Sequence, residues 1–318
     1  MKKSFILPAL LLTLLSSFVF VSCDNDDDEP QPMPTIVEFA QNDGNFNLLV
    51  DAVVKAELVD LLSSDGPFTL FAPTDDVFQE FLNAAGTNTV ANTPKETLIT
   101  ILTNHVIAGE NMASDLQTAY YSTASATTFG DDVNANMYIN TDQGVVINGT
   151  VEVVTPNVEV ANGVIHVIDE VIAAPTVVTF ATADPNFSTL VAALTRTGLT
   201  TNFVEVLTGN GPFTVFAPTN QAFQNLLNSN PEWNNLEDIP VATLEAVLLY
   251  HVASGNTRAG QLTDEIQVTT LSNSATFTID LDTANPTINA GSNSAEIIFT
   301  DVQAQNGVIH VINEVILP

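Results

Sequence analysis

Cysteine and basic residues are scarce in this chain of 318 residues. It has one cysteine, Cys23, and six lysine and arginine residues against 37 aspartate and glutamate residues, which gives a formal net charge of −31. Phosphate backbones and anionic lipid headgroups are recognised by clusters of Lys and Arg. The composition therefore excludes an intramolecular disulfide and argues against nucleic acid as a partner.

The sequence also lacks the motifs of the common catalytic sites. It has no Gly-x-Ser-x-Gly, His-Glu-x-x-His or Cys-x-x-Cys motif and no phosphate-binding glycine loop. A nucleophilic enzyme needs a Ser, Cys or Thr beside a base and an orienting group. We therefore expect no enzymatic activity and no cofactor, with an unrecognised hydrolase as the catalytic alternative.

The excess of acidic residues has two interpretations. One is solubility and self-repulsion at a crowded surface, and the other is calcium-dependent binding. Asp132, Asn134 and Asn136 are spaced like the start of a calcium loop, but Met137 replaces the turn glycine and Gln143 the closing glutamate. We therefore predict no metal site in this segment.

The first 22 residues have the organisation of a secretion signal. Lys2 and Lys3 precede an apolar run over residues 5–21. A basic start followed by a short apolar run is typical of a signal peptide, and the run is short for a membrane-spanning helix. We predict a signal peptide over residues 1–22; a spanning helix and an ordinary secreted protein are the alternatives.

The segment Val21-Ser22-Cys23 predicts a lipid anchor. It resembles the lipobox of bacterial lipoproteins, in which the cysteine is acylated, with palmitate-type chains, and becomes the new N-terminus. Several acyl chains on one residue give firm attachment, at ~0.8 kcal/mol per buried CH₂. We expect Cys23 to anchor the protein in the outer membrane.

Residues 23–34 predict a tether. An acidic run over residues 24–29 is followed by Pro30, Pro32 and Pro34, and such a segment cannot bury a core. An acidic run after the lipid cysteine also resembles the surface-export signals of some Gram-negative lipoproteins. That resemblance implies a surface-exposed protein.

The rest of the chain is an internal duplication. Phrases recur in the same order at nearly constant spacing: "TIVEFA" at Thr35 and "TVVTFA" at Thr176, "GPFTLFAPT" at Gly66 and "GPFTVFAPT" at Gly211, and "NGVIHVI" at Asn162 and at Asn306. A repeat this long indicates two whole domains. We name them module 1 (residues 35–174) and module 2 (residues 175–318).

Within each module the apolar periodicity changes along the chain. Apolar residues at three- and four-residue steps, as from Phe46 to Leu62, predict amphipathic helices, and "PFTLFAP" predicts a buried strand. Thr74 and Thr219 are predicted helix caps. Thr93 is predicted to be the N-cap of a further helix, with Pro94 as its first residue and Glu96 completing a capping box.

The last third of each module predicts strands. Asn162-Gly163, with Asn306-Gly307 in the second copy, is the residue pair that a two-residue hairpin turn favours. Helices followed by strand pairs indicate an α+β fold rather than a parallel α/β sheet.

Taken together, the repeated phrases resemble the fasciclin-like domain family. They are "FAPT" with a Phe four residues after its Thr, a helix that ends in His-Val, and "NGVIHVI" before "EVI". The resemblance implies two tandem β-wedge domains, each with helices packed at one end. It also implies an extracellular adhesion or matrix role.

The four histidines fall at repeated positions, His105 with His251 and His166 with His310. All four lie among apolar residues, where a neutral histidine commonly satisfies a buried backbone group. A metal pair within each module is the alternative. In some animal relatives a Tyr-His pair at the helix end is implicated in receptor contact; the matching residues here are Tyr250-His251 and, in module 1, Asn104-His105.

Three other residues are candidates from their surroundings. Thr283 lies in Asp282-Thr283-Ala284, which resembles a bacterial O-glycosylation acceptor. Arg196 and Arg258, the only arginines, favour local pairing with acids, or alternatively the orientation of an anionic ligand.

We therefore expect a lipid-anchored surface adhesion protein that presents two modules to an extracellular protein or glycan. Two weak sites in tandem gain avidity through effective concentration. The alternative is a surface scavenger of small molecules or glycans with a pocket at the domain interface.

Overall fold

A computed structural model describes residues 32–130, 132–272, 275–282 and 285–318. Module 1 begins with helices and ends with strands. Its helices are α1 (Ile36–Asp43), α2 (Asn47–Lys55), α3 (Val59–Leu62), α4 (Asp75–Ala84) and α5 (Lys95–Asn104). Its strands are β1 (Phe68–Pro73), β2 (Val106–Ala108), β3 (Ala119–Ala126), β4 (Asn134–Asn140), β5 (Val146–Ile147), β6 (Val151–Val160) and β7 (Gly163–Ile168).

Module 2 repeats this order of elements. Its helices are α6 (Val177–Ala183), α7 (Ser188–Leu194), α8 (Phe203–Thr208), α9 (Asn220–Ser229) and α10 (Val241–Tyr250). Its strands are β8 (Phe213–Pro218), β9 (Val252–Ser254), β10 (Ile266–Thr269), β11 (Thr276–Asp280), β12 (Thr287–Asn289), β13 (Ser294–Ala304) and β14 (Gly307–Ile312).

Each module contains one mixed sheet in the part of the chain that the structure describes. In module 1 the sheet closes on itself in the order β1 to β7, with β1 antiparallel to β2 and parallel to β7. In module 2 the order is β10-β11-β12-β13-β14-β8-β9, and β8 is again parallel to β14. The predicted α+β fold is confirmed.

Strand β1 joins the two cores of module 1, because alternate residues of a strand point to opposite faces. Leu70 and Ala72 pack in the helical core with Phe78, whereas Phe71 packs in a second core, made mainly of strand residues, that includes Met137. Burial of a large apolar side chain stabilises the fold by ~1.5–3 kcal/mol. The buried strand predicted from "PFTLFAP" is confirmed.

The predicted capping box at Thr93 is wrong. Helix α5 begins after Pro94, and it has no side-chain cap. Thr93 is buried and donates its hydroxyl to the carbonyl oxygen of Thr89 at 3.0 Å, because a short 3₁₀ turn brings that oxygen close. Thr219 caps α9 as predicted, whereas Thr74 makes no side-chain cap to α4.

The predicted Asn162-Gly163 turn is displaced by one residue. Val160 pairs with Gly163, so the turn consists of Ala161 and Asn162, and Gly163 begins β7. Gly163 has φ of +148°, and a Cβ there would lie 1.9 Å from the carbonyl oxygen of Phe68. The close approach of β1 to β7 therefore requires this glycine.

Asn162 and its counterpart Asn306 tie these turns to the helices. Asn162 Oδ1 accepts the backbone N–H of Ile36, the first residue of α1, at 2.9 Å, and its amide nitrogen donates to the carbonyl of Leu62 at 2.8 Å. Asn306 accepts the N–H of Val177, the first residue of α6, at 2.9 Å. These bonds fix the first helix of each module at an equivalent place. Among the described residues no helix has the length and apolar character needed to cross a membrane.

Candidate functional site

His105 and His251 are buried at the ends of α5 and α10. His105 Nδ1 lies 2.7 Å from the carbonyl oxygen of Ile101, and Nε2 accepts the N–H of Ile172 at 3.0 Å, so the proton of the neutral ring belongs on Nδ1. His251 makes the equivalent bonds at 2.7 and 3.1 Å. Burial lowers the pKa of both imidazoles to about 4. Both rings therefore hold backbone groups within the fold.

His166 and His310 lie on strands β7 and β14. His166 Nε2 lies 2.9 Å from the carbonyl oxygen of Asn111, Nδ1 accepts the N–H of Asn157 at 3.1 Å, and the ring stacks on Phe71. Burial lowers the pKa of both His166 and His310. The metal-pair hypothesis stays a prediction, and no histidine within the described ranges belongs to a group of three or more metal-ligating side chains.

Tyr250 and Asn104, the neighbours of the helix-end histidines, are also buried, each about 1% exposed. The Tyr250 hydroxyl donates to the carbonyl oxygen of Thr276 at 2.8 Å. Asn104 Oδ1 lies 3.5 Å from the hydroxyl of Thr123, which donates to the carbonyl oxygen of Ala135 at 2.8 Å. A partner could reach these positions only after the helix end opened, and the interaction inferred for them stays a prediction.

Two candidate modification sites, Cys23 and Thr283, lie outside the described residues. Among the described residues, Asp264, Asp280 and Asp282 have carboxylate oxygens within 4.8 Å of one another. Two of these carboxylates already accept backbone N–H groups, Asp264 from Leu281 at 3.0 Å and Asp280 from Asp282 at 2.8 Å. These bonds give the cluster a structural role, and no motif in the sequence indicated it.

The few cations of the modules serve structural roles. Arg196 donates to three carbonyl oxygens of the turn over residues 236–239, at 2.6–2.8 Å. Lys55 holds the corresponding turn of module 1 with three such bonds. Arg258 lies 3.8 Å from the carboxylate of Asp301. Arg258 therefore pairs with an acid as predicted, whereas Arg196 binds backbone carbonyl oxygens instead of an acid.

Module 1 contacts module 2 through β3 and β4. Tyr120 donates its hydroxyl to Asp184 Oδ2 at 2.9 Å, and Asn136 Oδ1 accepts the backbone N–H of Gln303 at 2.6 Å. Asn136 belongs to the segment that is spaced like the start of a calcium loop. In the structure its side-chain oxygen instead bonds a backbone N–H of module 2. Burial raises the pKa of Tyr120, and the nearby charge of Asp184 raises it further.

An aromatic cluster surrounds Tyr120 at this contact. Its ring centroid lies 4.9 Å from that of Tyr138, 5.6 Å from that of Phe180 and 5.9 Å from that of Phe299. Tyr138 and Phe180 are buried, whereas Phe299 and its neighbour Ile298 are each 50% exposed. The cluster therefore runs from the buried contact to the surface.

Beside this cluster lies a cavity of about 500 Å³. We call it the inter-module cleft, and its walls include Tyr120, Tyr138, Asp184, Asn186, Ile298 and Phe299. Asp184 already accepts the N–H of Asn186 through its other carboxylate oxygen, at 2.9 Å. An aromatic and apolar wall beside a few fixed polar groups is the arrangement of a ligand site.

The repeated phrases of the chain contain no signal for these residues. Phe299 pairs with Val311 as Thr155 pairs with Val167 in module 1, so Phe299 replaces a threonine at the equivalent site. A break in the repeat that introduces an exposed aromatic side chain is the signal that could have found the cleft.

Comparisons with known proteins agree with the repeat. The Fasciclin domain model matches residues 44–175 and 185–318. An uncharacterized protein of Synechocystis is 41% identical over 140 residues, which are 44% of this chain and 98% of that protein. The transforming growth factor-beta-induced protein ig-h3 of Sus scrofa is 27% identical over 293 residues, which are 91% of this chain and 38% of that protein.

A solved structure has the same fold. It is a FAS1 domain pair from the insect cell adhesion molecule Fasciclin I, with a TM-score of 0.52, 19% identity, and coverage of 87% of this chain and 98% of that chain. The family match spans most of the chain, and the predicted resemblance is confirmed. This chain therefore belongs to the fasciclin family and carries two fasciclin domains in tandem.

Proposed function

We propose that the chain is a non-enzymatic, lipid-anchored adhesion protein of the cell surface, which binds an extracellular protein or glycan at the inter-module cleft. The observation that carries the proposal is the pair of half-exposed side chains, Ile298 and Phe299, at the edge of an aromatic cluster. Exposed apolar surface next to buried aromatic and polar groups is typical of interaction sites.

The chemistry of the cleft favours a neutral or basic partner. The exposed ring of Phe299 offers an apolar face to a sugar ring or to a protein side chain, and the exposed amide of Asn186 offers a donor and an acceptor. The formal charge of −31 repels anionic partners and favours encounter with basic ones.

The N-terminal segment supplies the anchor in this proposal. A signal peptide over residues 1–22 is removed, Cys23 carries the acyl chains, and residues 23–34 extend modules 1 and 2 away from the outer membrane toward the exterior. The structural relative is named as a cell adhesion molecule, which supports the adhesive role. Exchange of Cys23 for serine should release the protein into soluble fractions; unchanged membrane association would contradict lipidation.

Scavenging of a small molecule or a glycan is the second candidate. The volume of the inter-module cleft, about 500 Å³, lies within the range of roughly 300–1,000 Å³ that small-molecule sites occupy. A scavenger would bind a soluble ligand that raises its melting temperature, whereas an adhesion protein would retain cells or matrix.

The experiment uses the purified full-length protein on beads, probed with a glycan array and with solubilised surface material from the producing bacterium. The double substitution Ile298→Ser/Phe299→Ser removes the apolar edge of the cleft. The control is Val154→Ser, because Val154 is 57% exposed and occupies in β6 the position that Ile298 occupies in β13. We expect at least a tenfold loss of binding in the double variant only; equal binding by both variants would refute the site.

A further inference from the structure

Module 2 contains an apolar cavity of about 120 Å³ between its first three helices and strand β8. Its walls include Val177 from α6, Leu190 from α7, Phe203 and Leu207 from α8, and Val215 from β8. Val204, which is 41% exposed, also lines the cavity. Its wall shares only Phe187 with the wall of the inter-module cleft.

The polar atoms near this cavity already have partners. His251 is the one ionisable side chain in its wall, and both ring nitrogens are bonded to backbone groups. The hydroxyl of Thr195, also in the wall, donates to the carbonyl oxygen of Val191 at 2.8 Å. A polar ligand would lose its hydrogen bonds to water and gain none, so the walls favour an uncharged apolar group.

The equivalent space in module 1 is only about 20 Å³. The side chains at two wall positions contribute to this difference in cavity volume between the modules. Ile36 and Val177 are the first residues of α1 and α6, and Leu70 and Val215 are the third residues of β1 and β8. At both positions module 2 has the side chain with one methylene less, which removes bulk from the wall. The side chains at other positions of module 2 are not all smaller than their counterparts in module 1, because Phe203 stands at the position of Leu58.

We propose that this cavity is a binding site for a small hydrocarbon group of about the size of benzene. An apolar cavity of ~150 Å³ lined by Leu, Ile and Phe stays dry and binds benzene in another protein, and the module 2 cavity has similar walls and nearly that volume. The site is independent of adhesion, and module 1 lacks the space for an equivalent one.

The test uses methyl NMR on the full-length chain, titrated with benzene. Benzene should shift the methyl signals of Val177, Leu207 and Val215 in a saturable way, and phenol should bind at least tenfold more weakly because its hydroxyl finds no free partner. The module 1 wall, at Leu70, should not respond.

The matched variant fills the cavity with the side chains of module 1. In Val177→Ile/Val215→Leu, benzene affinity should fall at least tenfold; the single variant Val215→Leu serves if the double variant does not fold. Substitution of Ile36 by valine together with Leu70 by valine should give module 1 a response to benzene. Shifts that are absent in the wild type, or that persist unchanged in the filled variant, would overturn the proposal.

Discussion

Acidification should destabilise both modules through their buried helix-end histidines. His105 and His251 are neutral in the fold, with a pKa of about 4, against about 6.5 in an unfolded chain. Between pH 6.5 and pH 4 the unfolded state therefore takes up a proton that the folded state does not. Stability that is fully present above pH 6.5 is lost as the pH falls through this window.

The magnitude follows from the two pKa values. One pKa unit corresponds to about 1.4 kcal/mol, so each ring should lower the free energy of unfolding by about 2 kcal/mol between pH 7.5 and pH 5. The two rings together should lower it by about 4 kcal/mol. His166 and His310, whose pKa values are also lowered by burial, act in the same direction.

The chain provides a way to follow one module. Its single tryptophan, Trp233, packs against the helical core of module 2, so its fluorescence during urea unfolding reports on that module. His251→Gln keeps a donor and an acceptor but cannot titrate, and it should reduce the pH dependence of this transition by about 2 kcal/mol. His105→Gln is the matched control in module 1. A fluorescence transition with the same pH dependence in His251→Gln as in the wild type would refute the reasoning.

Three further substitutions, the first with a matched control, test the contacts of the fold. Gly163→Ala should lower the free energy of unfolding by about 3 kcal/mol or more, because its Cβ would overlap a backbone oxygen of β1. The control Gly86→Ala has open space around its Cβ and should lower it by only about 1 kcal/mol, because of its positive φ. Equal urea midpoints for the two variants would contradict this. Tyr120→Phe leaves the buried Asp184 without its hydroxyl donor and should lower the free energy of unfolding by about 1.5–3 kcal/mol. Calorimetry should show a larger difference between the melting temperatures of the two modules. An unchanged thermogram would count against the contact. Arg196→Met removes three bonds to backbone carbonyls and should lower the stability of module 2 by about 2 kcal/mol, measured by tryptophan fluorescence; no loss would show that water replaces these bonds.

The order of elements in each module could be predicted from local patterns. The buried strand "PFTLFAP" and the following helices depend on residues near in sequence, and the duplication provided most of these predictions twice. The requirement for glycine at position 163 could not be predicted, because it arises from a contact with Phe68, which is distant in sequence. Thr93 similarly bonds within a preceding 3₁₀ turn that the sequence did not indicate.

The residues of the inter-module cleft were harder to predict from the sequence than the fold was. The four histidines repeat because each copy needs them to hold backbone groups, so repetition identified structural residues. Tyr120 and Phe299 meet only because module 1 packs on module 2, and such a contact has no local pattern.

The central claim is that the edge of the inter-module cleft makes the adhesive contact. Cells that display equal amounts of the wild-type protein, of Ile298→Ser/Phe299→Ser or of Val154→Ser can be compared by the shear stress that detaches them from a surface of their own extracellular material. We predict that the double variant detaches at the stress of cells without the protein, while Val154→Ser stays attached like the wild type. Equal retention of the double variant would contradict the account.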